Sequence, residues 1–304
     1  MKGIARAALR KVGFEVKRIS PTIPDYELAY MKAGRIPWSR GYEQAKTRFI
    51  SEVLANPGLV EVFQKGCKLP EQFGVAFDER CVEYPWLLAH LKPGPERILD
   101  AGSTLNQSSI LDNPMFLQKK LHILTLAPEA ACFWYKRVSY LYDDLRDIPV
   151  RDDYYEAIAC LSTLEHVGCD NTHYTQNEIH REHRTEDFVL VMREFRRVLR
   201  PGGTLFLTVP FGVYRYFGTF QQFDRKLLSK ALEAFGKARD LSETFYRYTA
   251  DGWNIAKATD CAMCEYVEWV ANAWSSNQWP NPLPVEPDLA AAARAVACVR
   301  LIKG

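Results

Sequence analysis

The feature that most constrains the fold of this chain is an alternation of short apolar runs with helical patterns over residues 96–212. Residues 98–101, 122–126, 157–161 and 204–209 are apolar runs with turn residues at their ends. Between Phe188 and Leu199 the apolar residues instead recur at helical spacing, and the turn 201–203 ends that segment. Strands that alternate with helices favour βαβ units. We therefore predict an α/β fold with a doubly wound, mainly parallel sheet.

Composition removes several other classes of protein. The 304 residues carry 39 Lys and Arg against 37 Asp and Glu, a net charge of +2, which disfavours a strongly basic nucleic-acid binder. A hydrophobic fraction of 47% is that of an ordinary globular protein, and no apolar run approaches the ~20 residues of a membrane span. The eight cysteines lie partly in apolar runs, as small buried residues do, so we expect a cytoplasmic protein.

The regions that flank the alternating segment have different sequence patterns. Residues 1–90 are predicted to form an N-terminal helical cap or extension, and residues 91–304 the main domain, with a C-terminal insert over 253–290. Six Lys and Arg lie within residues 1–20, where apolar residues would share one face of a helix. That helix would either contact an anionic membrane surface from the inside of the cell or dock on its own domain.

The residues after each strand deserve the most weight, because ligands bind outside the carboxyl ends of the strands in such sheets. Only one glycine, Gly102, follows the first strand. A dinucleotide-binding oxidoreductase would be expected to have the fuller G-x-G-x-x-G loop that holds a pyrophosphate. A ligand without phosphates is therefore the better hypothesis.

Four segments, 100–102, 144–149, 162–167 and 199–210, together resemble class I S-adenosylmethionine-dependent methyltransferases of the small-molecule type with a Leu-Glu-His-Val segment. Residues 78–129 are also similar to uncharacterised bacterial methyltransferases of surface-glycan gene clusters. The resemblance implies a Rossmann-like, seven-stranded sheet. It also implies S-adenosyl-L-methionine as the cofactor and S-adenosyl-L-homocysteine as the product.

The resemblance further implies where the cofactor would bind. Its methionine part would lie against residues 100–102, the adenine amino group would bond to Asp144, and Leu145 would pack on the ring. The second strand ends in Ala127-Pro128, where the family has a ribose-binding acid, and Glu129 could replace that acid. The cofactor-binding residues expected on this basis are Asp100, Ala101, Gly102, Ser103, Asn106, Ala127, Glu129, Asp144, Leu145, Leu161, Ser162 and Thr163.

Two departures from the family pattern leave an alternative open: the loop after the first strand has a single glycine, and the ribose-binding acid after the second strand is missing. The chain could instead be a catalytically inactive methyltransferase fold that serves as a scaffold or binding protein.

Methyl transfer to a hydroxyl needs a general base. His166 is the first candidate, because histidine titrates near neutral pH, and Glu165 beside it would orient the histidine or the substrate. The alternative is that His166 packs structurally at the start of a helix.

A hydroxyl of a sugar, glycan or other small molecule is the expected acceptor, with no nucleic acid as a partner. The polar connection 167–187, called the lid loop below, would cover the strand ends, and its His173 and Tyr174 would contact the acceptor. Phe211 and Tyr214 could stack on a sugar face. The histidines at 180 and 183 lack an established zinc spacing, so no metal is expected. The oligomeric state stays open.

Overall fold

A computed structural model describes residues 25–304. The basic helix predicted for residues 1–20 lies outside the described residues. None of the described helices is long and apolar enough to cross a bilayer. The helices are α1 (Asp25–Lys32), α2 (Tyr42–Leu54), α3 (Pro57–Lys65), α4 (Arg80–His90), α5 (Ser108–Leu111), α6 (Thr172–Thr175), α7 (Phe188–Val198), α8 (Arg225–Phe235), α9 (Ala258–Cys261) and α10 (Glu268–Ser276).

One large sheet and one small two-stranded sheet make up the β structure. The large sheet has the order β3-β2-β1-β4-β5-β10-β8-β9, and β6 pairs with β7 separately. The strands are β1 (Arg97–Ala101), β2 (Lys120–Thr125), β3 (Val138–Tyr142), β4 (Tyr155–Leu161), β5 (Leu199–Pro210), β6 (Arg215–Tyr216), β7 (Gln221–Gln222), β8 (Ala238–Thr249), β9 (Gly252–Ala256) and β10 (Ala295–Lys303).

The strand order confirms the α/β, doubly wound prediction. β1 pairs in parallel with both β2 and β4, and β5 continues the parallel part beyond β4. The direction in which strands are added therefore reverses between β1 and β4, which is where a ligand crevice forms in such a sheet. β10 is antiparallel to both β5 and β8.

The sheet has eight strands, so the predicted count of seven is wrong. The extra strand is β9, which pairs back along β8 from Gly252 opposite Thr249. Gly252 has φ +90°, and a Cβ there would lie 2.4 Å from the carbonyl oxygen of Phe73, so only glycine allows this tight reversal. Residues 253–256, expected in the C-terminal insert, are thus part of the sheet.

The core lies on both faces of the sheet. Along β10, Val296 and Cys298 pack in one apolar cluster with α4, whereas Ala297 and Val299 pack in another with α7. All four are essentially inaccessible to solvent. An apolar run such as residues 295–299 of β10 is typical of a sheet covered on both faces.

Helix α4 is attached to the sheet through a buried carboxylate. Glu83 is 0% exposed, and its Oε1 accepts hydrogen bonds from Ser162 Oγ at 2.6 Å and from Thr208 Oγ1 at 2.5 Å. Its Oε2 accepts from Arg80 Nη1 at 2.7 Å, and that nitrogen also donates to the Leu161 carbonyl at 3.2 Å. One ion pair therefore joins α4 to the carboxyl ends of β4 and β5.

Replacing Glu83 by alanine is expected to destabilise the protein by about 3–5 kcal/mol, because it strands Arg80 without a counter-charge and leaves two hydroxyls unbonded. Urea unfolding followed by circular dichroism measures the change. Glu52→Ala, which removes an exposed partner of Arg48, is the control and should have little effect. Equal unfolding midpoints for Glu83→Ala and the wild type would contradict the structural role.

Candidate active site

A cavity of about 480 Å³ opens at the carboxyl ends of the parallel strands, where the strand order reverses. Residues after all four of the strands β1 to β4 contribute to its wall, together with α4 and the lid loop. The lining from the strand ends includes Gly102, Ser103, Thr104, Leu124, Thr125, Leu126, Ala127, Glu129, Asp143, Asp144, Leu145, Arg146, Ser162, Thr163, His166, Val167 and Gly168.

The loop after β1 is shaped by a glycine and a buried acid. Gly102 has φ +103°, and a Cβ there would lie 2.2 Å from the side chain of Thr163, so the two loops meet closely only because residue 102 is glycine. Asp100 accepts hydrogen bonds from the Leu105 N–H at 2.8 Å and Thr104 Oγ1 at 3.2 Å. Burial raises the pKa of Asp100 to about 7.

Three residues expected to contact the cofactor lie behind the cavity wall instead. Asp100, Ala101 and Leu161 are completely buried and do not line the cavity. The reason is the strand register: these residues are the last ones paired within β1 and β4, so their side chains stay among the sheet and helices. Asp100 acts on the site by holding the loop that follows it.

Ser103 is a cavity residue with an unused polar atom. It has φ +65°, and its Oγ is buried with no hydrogen-bond partner among the described residues. An unsatisfied buried hydroxyl costs free energy unless a ligand or water bonds to it. The loop after β1 therefore presents a polar group suited to a bound ligand.

Glu129 lines the cavity, and Asn106 holds it there. Asn106 Nδ2 donates to Glu129 Oε2 at 2.9 Å and to the Ala131 carbonyl at 3.1 Å, while Asn106 Oδ1 accepts from the Tyr140 hydroxyl at 2.8 Å. Asn106 itself does not line the cavity, so its contact with a ligand stays a prediction. The bonds to Ala131 and Tyr140 orient the Asn106 amide so that its Nδ2 also reaches Glu129.

Arg146 connects the loop after β3 to the lid loop. Its Nε bonds to both oxygens of Asp144 at 3.0 Å, and its Nη1 reaches Glu182 at 2.8 Å and Asp187 at 2.7 Å. Burial opposes ionisation of Asp144, but the bonds from Arg146 outweigh it and lower the pKa of that carboxyl. Asp144 and Leu145 both line the cavity. The carboxylate of Asp144 is therefore fixed and ionised.

His166 lies where the first cavity meets a second one and lines both. Its Nδ1 is 2.8 Å from the Thr219 carbonyl oxygen, which can only accept, so Nδ1 carries the proton and Nε2 keeps its lone pair. Burial lowers the pKa of His166 to about 4, and the imidazole is therefore neutral at physiological pH. A neutral, oriented imidazole can accept a proton from a bound hydroxyl.

Glu165 does not orient His166, because the Thr219 carbonyl does so. Glu165 is 3% exposed, and its Oε2 has no hydrogen-bond partner among the described residues. Its side chain lines the second cavity. Of its two expected roles, contact with the acceptor is the one that fits this position.

The second cavity, called the acceptor cavity below, measures about 400 Å³ and shares six lining residues with the first. The shared residues are Arg80, Tyr84, Gln107, Ser162, His166 and Tyr174. Its remaining wall comes from α2, the segment before α4, and the region around α10. Aromatic rings line much of it, namely Trp38, Phe220, Tyr266 and Trp274.

Of the four expected substrate contacts, only Tyr174 lines a cavity. His173 packs on the Tyr174 ring with 3.7 Å between centroids, outside both linings. Phe211 is 1% exposed and packs on Phe245, because its backbone still pairs with Ala295, the first residue of β10, and its ring enters the core. Tyr214 is exposed and lines neither cavity.

Several cavity residues were missed by sequence reasoning. Arg80 and Tyr84 come from α4, whose apolar residues surround the helix and predict only a buried element. Trp38 and Trp274 lie 236 positions apart by number, and only the fold brings them to 5.7 Å between ring centroids. Within residues 25–304, no group of three His, Cys, Asp or Glu side chains is placed to hold a metal ion.

Comparison with known proteins is consistent with this geometry. Residues 124–207 match the family model described as a methyltransferase domain. No curated protein matches the chain.

Three solved structures show the range of similar folds. A geranyl diphosphate C-methyltransferase from Streptomyces coelicolor A3(2) is 12% identical, with a TM-score of 0.45 and coverage of 74% of this chain and 79% of that one. A 1,6-didemethyltoxoflavin-N1-methyltransferase from Burkholderia thailandensis is 10% identical (TM-score 0.40, coverage 95% and 94%). A methyltransferase from Bacillus halodurans C-125, whose assignment is provisional, is 15% identical (TM-score 0.40, coverage 72% and 96%).

The family match falls on β2 to β5, the strands whose ends form the first cavity. Together with the strand order, it supports the expectation of a class I S-adenosylmethionine-dependent methyltransferase.

Proposed function

We propose that this enzyme methylates a hydroxyl group of a sugar, a glycan or another small molecule that binds in the acceptor cavity. The observation that carries the proposal is the position of His166. Its neutral imidazole lines both cavities, with Nδ1 bonded to a carbonyl and Nε2 free to accept a proton. A base at the junction of two cavities is where the proton of an attacking hydroxyl would be removed.

The residues of the first cavity fit S-adenosylmethionine. The unpartnered Ser103 hydroxyl and the loop at Gly102 would hold its methionine part, and Glu129 would accept from the ribose hydroxyls. Asp144 would accept from the adenine amino group in addition to Arg146, which donates to Oδ1 from its backbone N–H and Nε and to Oδ2 from Nε and Nη2. When bound, this cofactor supplies an electrophilic methyl group.

The acceptor cavity would bind and orient the acceptor. Tyr266, Trp274 and Trp38 offer flat apolar faces of the kind that pack on sugar rings. Ser162 and Gln107, shared by both cavities, offer polar groups that orient hydroxyls. As the oxygen of the acceptor forms its bond to the methyl carbon, its proton would pass to Nε2 of His166. The walls would limit the access of water.

His166→Ala is expected to reduce the rate of methyl transfer about 10²–10⁴-fold, the usual contribution of a general base. The affinity for S-adenosylhomocysteine should change little, because the base faces the acceptor. Radiolabelled methyl transfer to a panel of hexoses and bacterial glycans measures the rate, and calorimetry measures the affinity. His183→Ala, an exposed lid-loop histidine outside both cavity linings, is the matched control. Full activity of His166→Ala would remove histidine as the base.

The pH dependence follows from the lowered pKa of His166, about 4. The neutral imidazole predominates above that value, so this ionisation should leave kcat unaffected between pH 8 and about pH 5 and reduce it only as the pH approaches 4. A pH–rate profile, with circular dichroism at each pH to confirm folding, checks this. A fall in kcat centred at an ordinary histidine pKa near 6.5 would contradict it.

Arg146→Ala is expected to weaken binding of S-adenosylhomocysteine about tenfold, or about 1.4 kcal/mol. The substitution frees both Asp144 and the Glu182 segment of the lid loop, so the adenine-binding acid loses its fixed orientation. Calorimetric titration measures the Kd, and the exposed Arg151→Ala is the control. An unchanged or tighter Kd would show that Arg146 competes with adenine for Asp144.

A further inference from the structure

The acceptor cavity has more acidic than basic side chains in its wall. Four carboxyl groups and two cationic groups line it: Glu43, Asp78, Glu79, Glu165, Lys46 and Arg80. Such an imbalance disfavours an anionic ligand. A phosphate group of an acceptor, in particular, would have no cation left to bind, because both cations are already paired.

Lys46 and Arg80 are each held by a carboxylate of the protein. Lys46 Nζ lies 2.5 Å from Asp78 Oδ2 and 3.1 Å from Glu43 Oε2. Arg80 Nη1 lies 2.7 Å from Glu83 Oε2. These pairs account for Glu43 and Asp78, so Glu79 and Glu165 are the two carboxyl groups of the wall whose ionised form has no ion-pair partner among the described residues.

Glu79 and Glu165 are both buried without a cationic partner. Glu165 is 3% exposed and its Oε2 has no hydrogen-bond partner in residues 25–304. Glu79 is 8% exposed and accepts one long bond, 3.3 Å, from the N–H of Ala293. Burial raises the pKa of Glu165 well above its ordinary value, and burial followed by the charge of Asp78 raises the pKa of Glu79 to about 8.

Both carboxyls line the same cavity as the ring of Tyr266. Burial and then the charges of Glu79, Asp78 and Glu165 raise the pKa of Tyr266, which also lines the cavity. One ring of the wall already lies beside a cation, since Lys46 Nζ is 5.4 Å from the centroid of Trp38; the same Nζ is 4.9 Å from the ring of Tyr42, which does not line the cavity. Carboxylates beside aromatic faces form the environment that binds ammonium groups.

We infer, on the basis of the proposed function, that the acceptor is an amino sugar whose ammonium group binds between Glu79 and Glu165 against the aromatic wall. The positive charge would stabilise the ionised form of both carboxyls and supply the counter-ion that this form lacks. The amine is then the group by which the substrate is recognised. An ammonium has no lone pair, so it does not attack the methyl group, and the nucleophile remains a hydroxyl close to His166.

Three sugars that differ at one substituent test the inference. D-Glucosamine, D-glucose and N-acetyl-D-glucosamine are titrated into the full-length protein saturated with S-adenosylhomocysteine. The tryptophan fluorescence, to which Trp38 and Trp274 of the cavity wall contribute, or the heat of binding is followed. D-Glucosamine should bind at least about tenfold more tightly than the other two. Equal affinities, tighter binding of either neutral sugar, or no saturable binding of D-glucosamine up to about 50 mM would overturn the inference.

Two isosteric variants localise the effect. Glu165→Gln and Glu79→Gln should each reduce the preference for D-glucosamine to less than about threefold, because an amide cannot balance an ammonium. Glu43→Gln is the matched control, since Glu43 lines the same cavity but is already paired with Lys46, and it should keep the preference. An equal loss in Glu43→Gln would assign the preference to the general negative charge of the cavity instead. The comparison of sugars in the wild type does not depend on how well these variants fold.

Failure of this inference is distinguishable from failure of the proposed function. If methyl transfer to neutral sugars is as fast as to D-glucosamine, the hydroxyl-methylating function stands and the amine specificity is wrong. If the wild type binds S-adenosylhomocysteine but methylates none of the sugars, the proposed acceptor class is wrong, whatever binds to Glu165.

Discussion

The buried ion pair between Glu83 and Arg80 is the interaction on which the site depends. Its partners, Ser162 and Thr208, lie at the ends of β4 and β5, and α4 carries it. Such a pair is weak evidence for net stability, because desolvating both charges is costly. Its effect is geometric. It holds Ser162 at φ +38°, a conformation rare for serine, and it places Arg80 and Tyr84 at the junction of the two cavities.

The same pair explains why the two cavities meet at His166. The turn at Ser162 directs the following residues away from the sheet, and the chain then enters the short 3-10 helix Leu164–His166. Thr219, in the connection between β6 and β7, completes the arrangement by accepting from the imidazole. His166 is therefore held by the Thr219 carbonyl, and it follows the turn at Ser162 to which Glu83 bonds.

The parallel strands and α7 could be predicted from the sequence, because apolar runs and helical periodicity report directly on burial. The eighth strand could not, since its formation depends on a reversal at Gly252 that is packed against Phe73. Cavity residues after strand ends, such as Ser103 and Asp144, followed from topology and from the family resemblance. Phe211 was placed incorrectly because pairing with Ala295 continues past the end of β5. Contacts that join distant segments, such as His166 with Thr219, leave no local pattern in the sequence.

The two cavities draw on different parts of the chain, and this has a consequence for how such enzymes diversify. The first cavity is built mainly from loops between β1 and α7, where almost every residue also supports the sheet or its neighbour loop. Much of the acceptor wall instead comes from Trp38, Lys46, Tyr266 and Trp274, which flank that region in sequence. Mutations in these flanking segments can accumulate without disturbing the cofactor loops. On the proposed function, the segments that would select the acceptor are thus largely separate in sequence from those that would hold the cofactor.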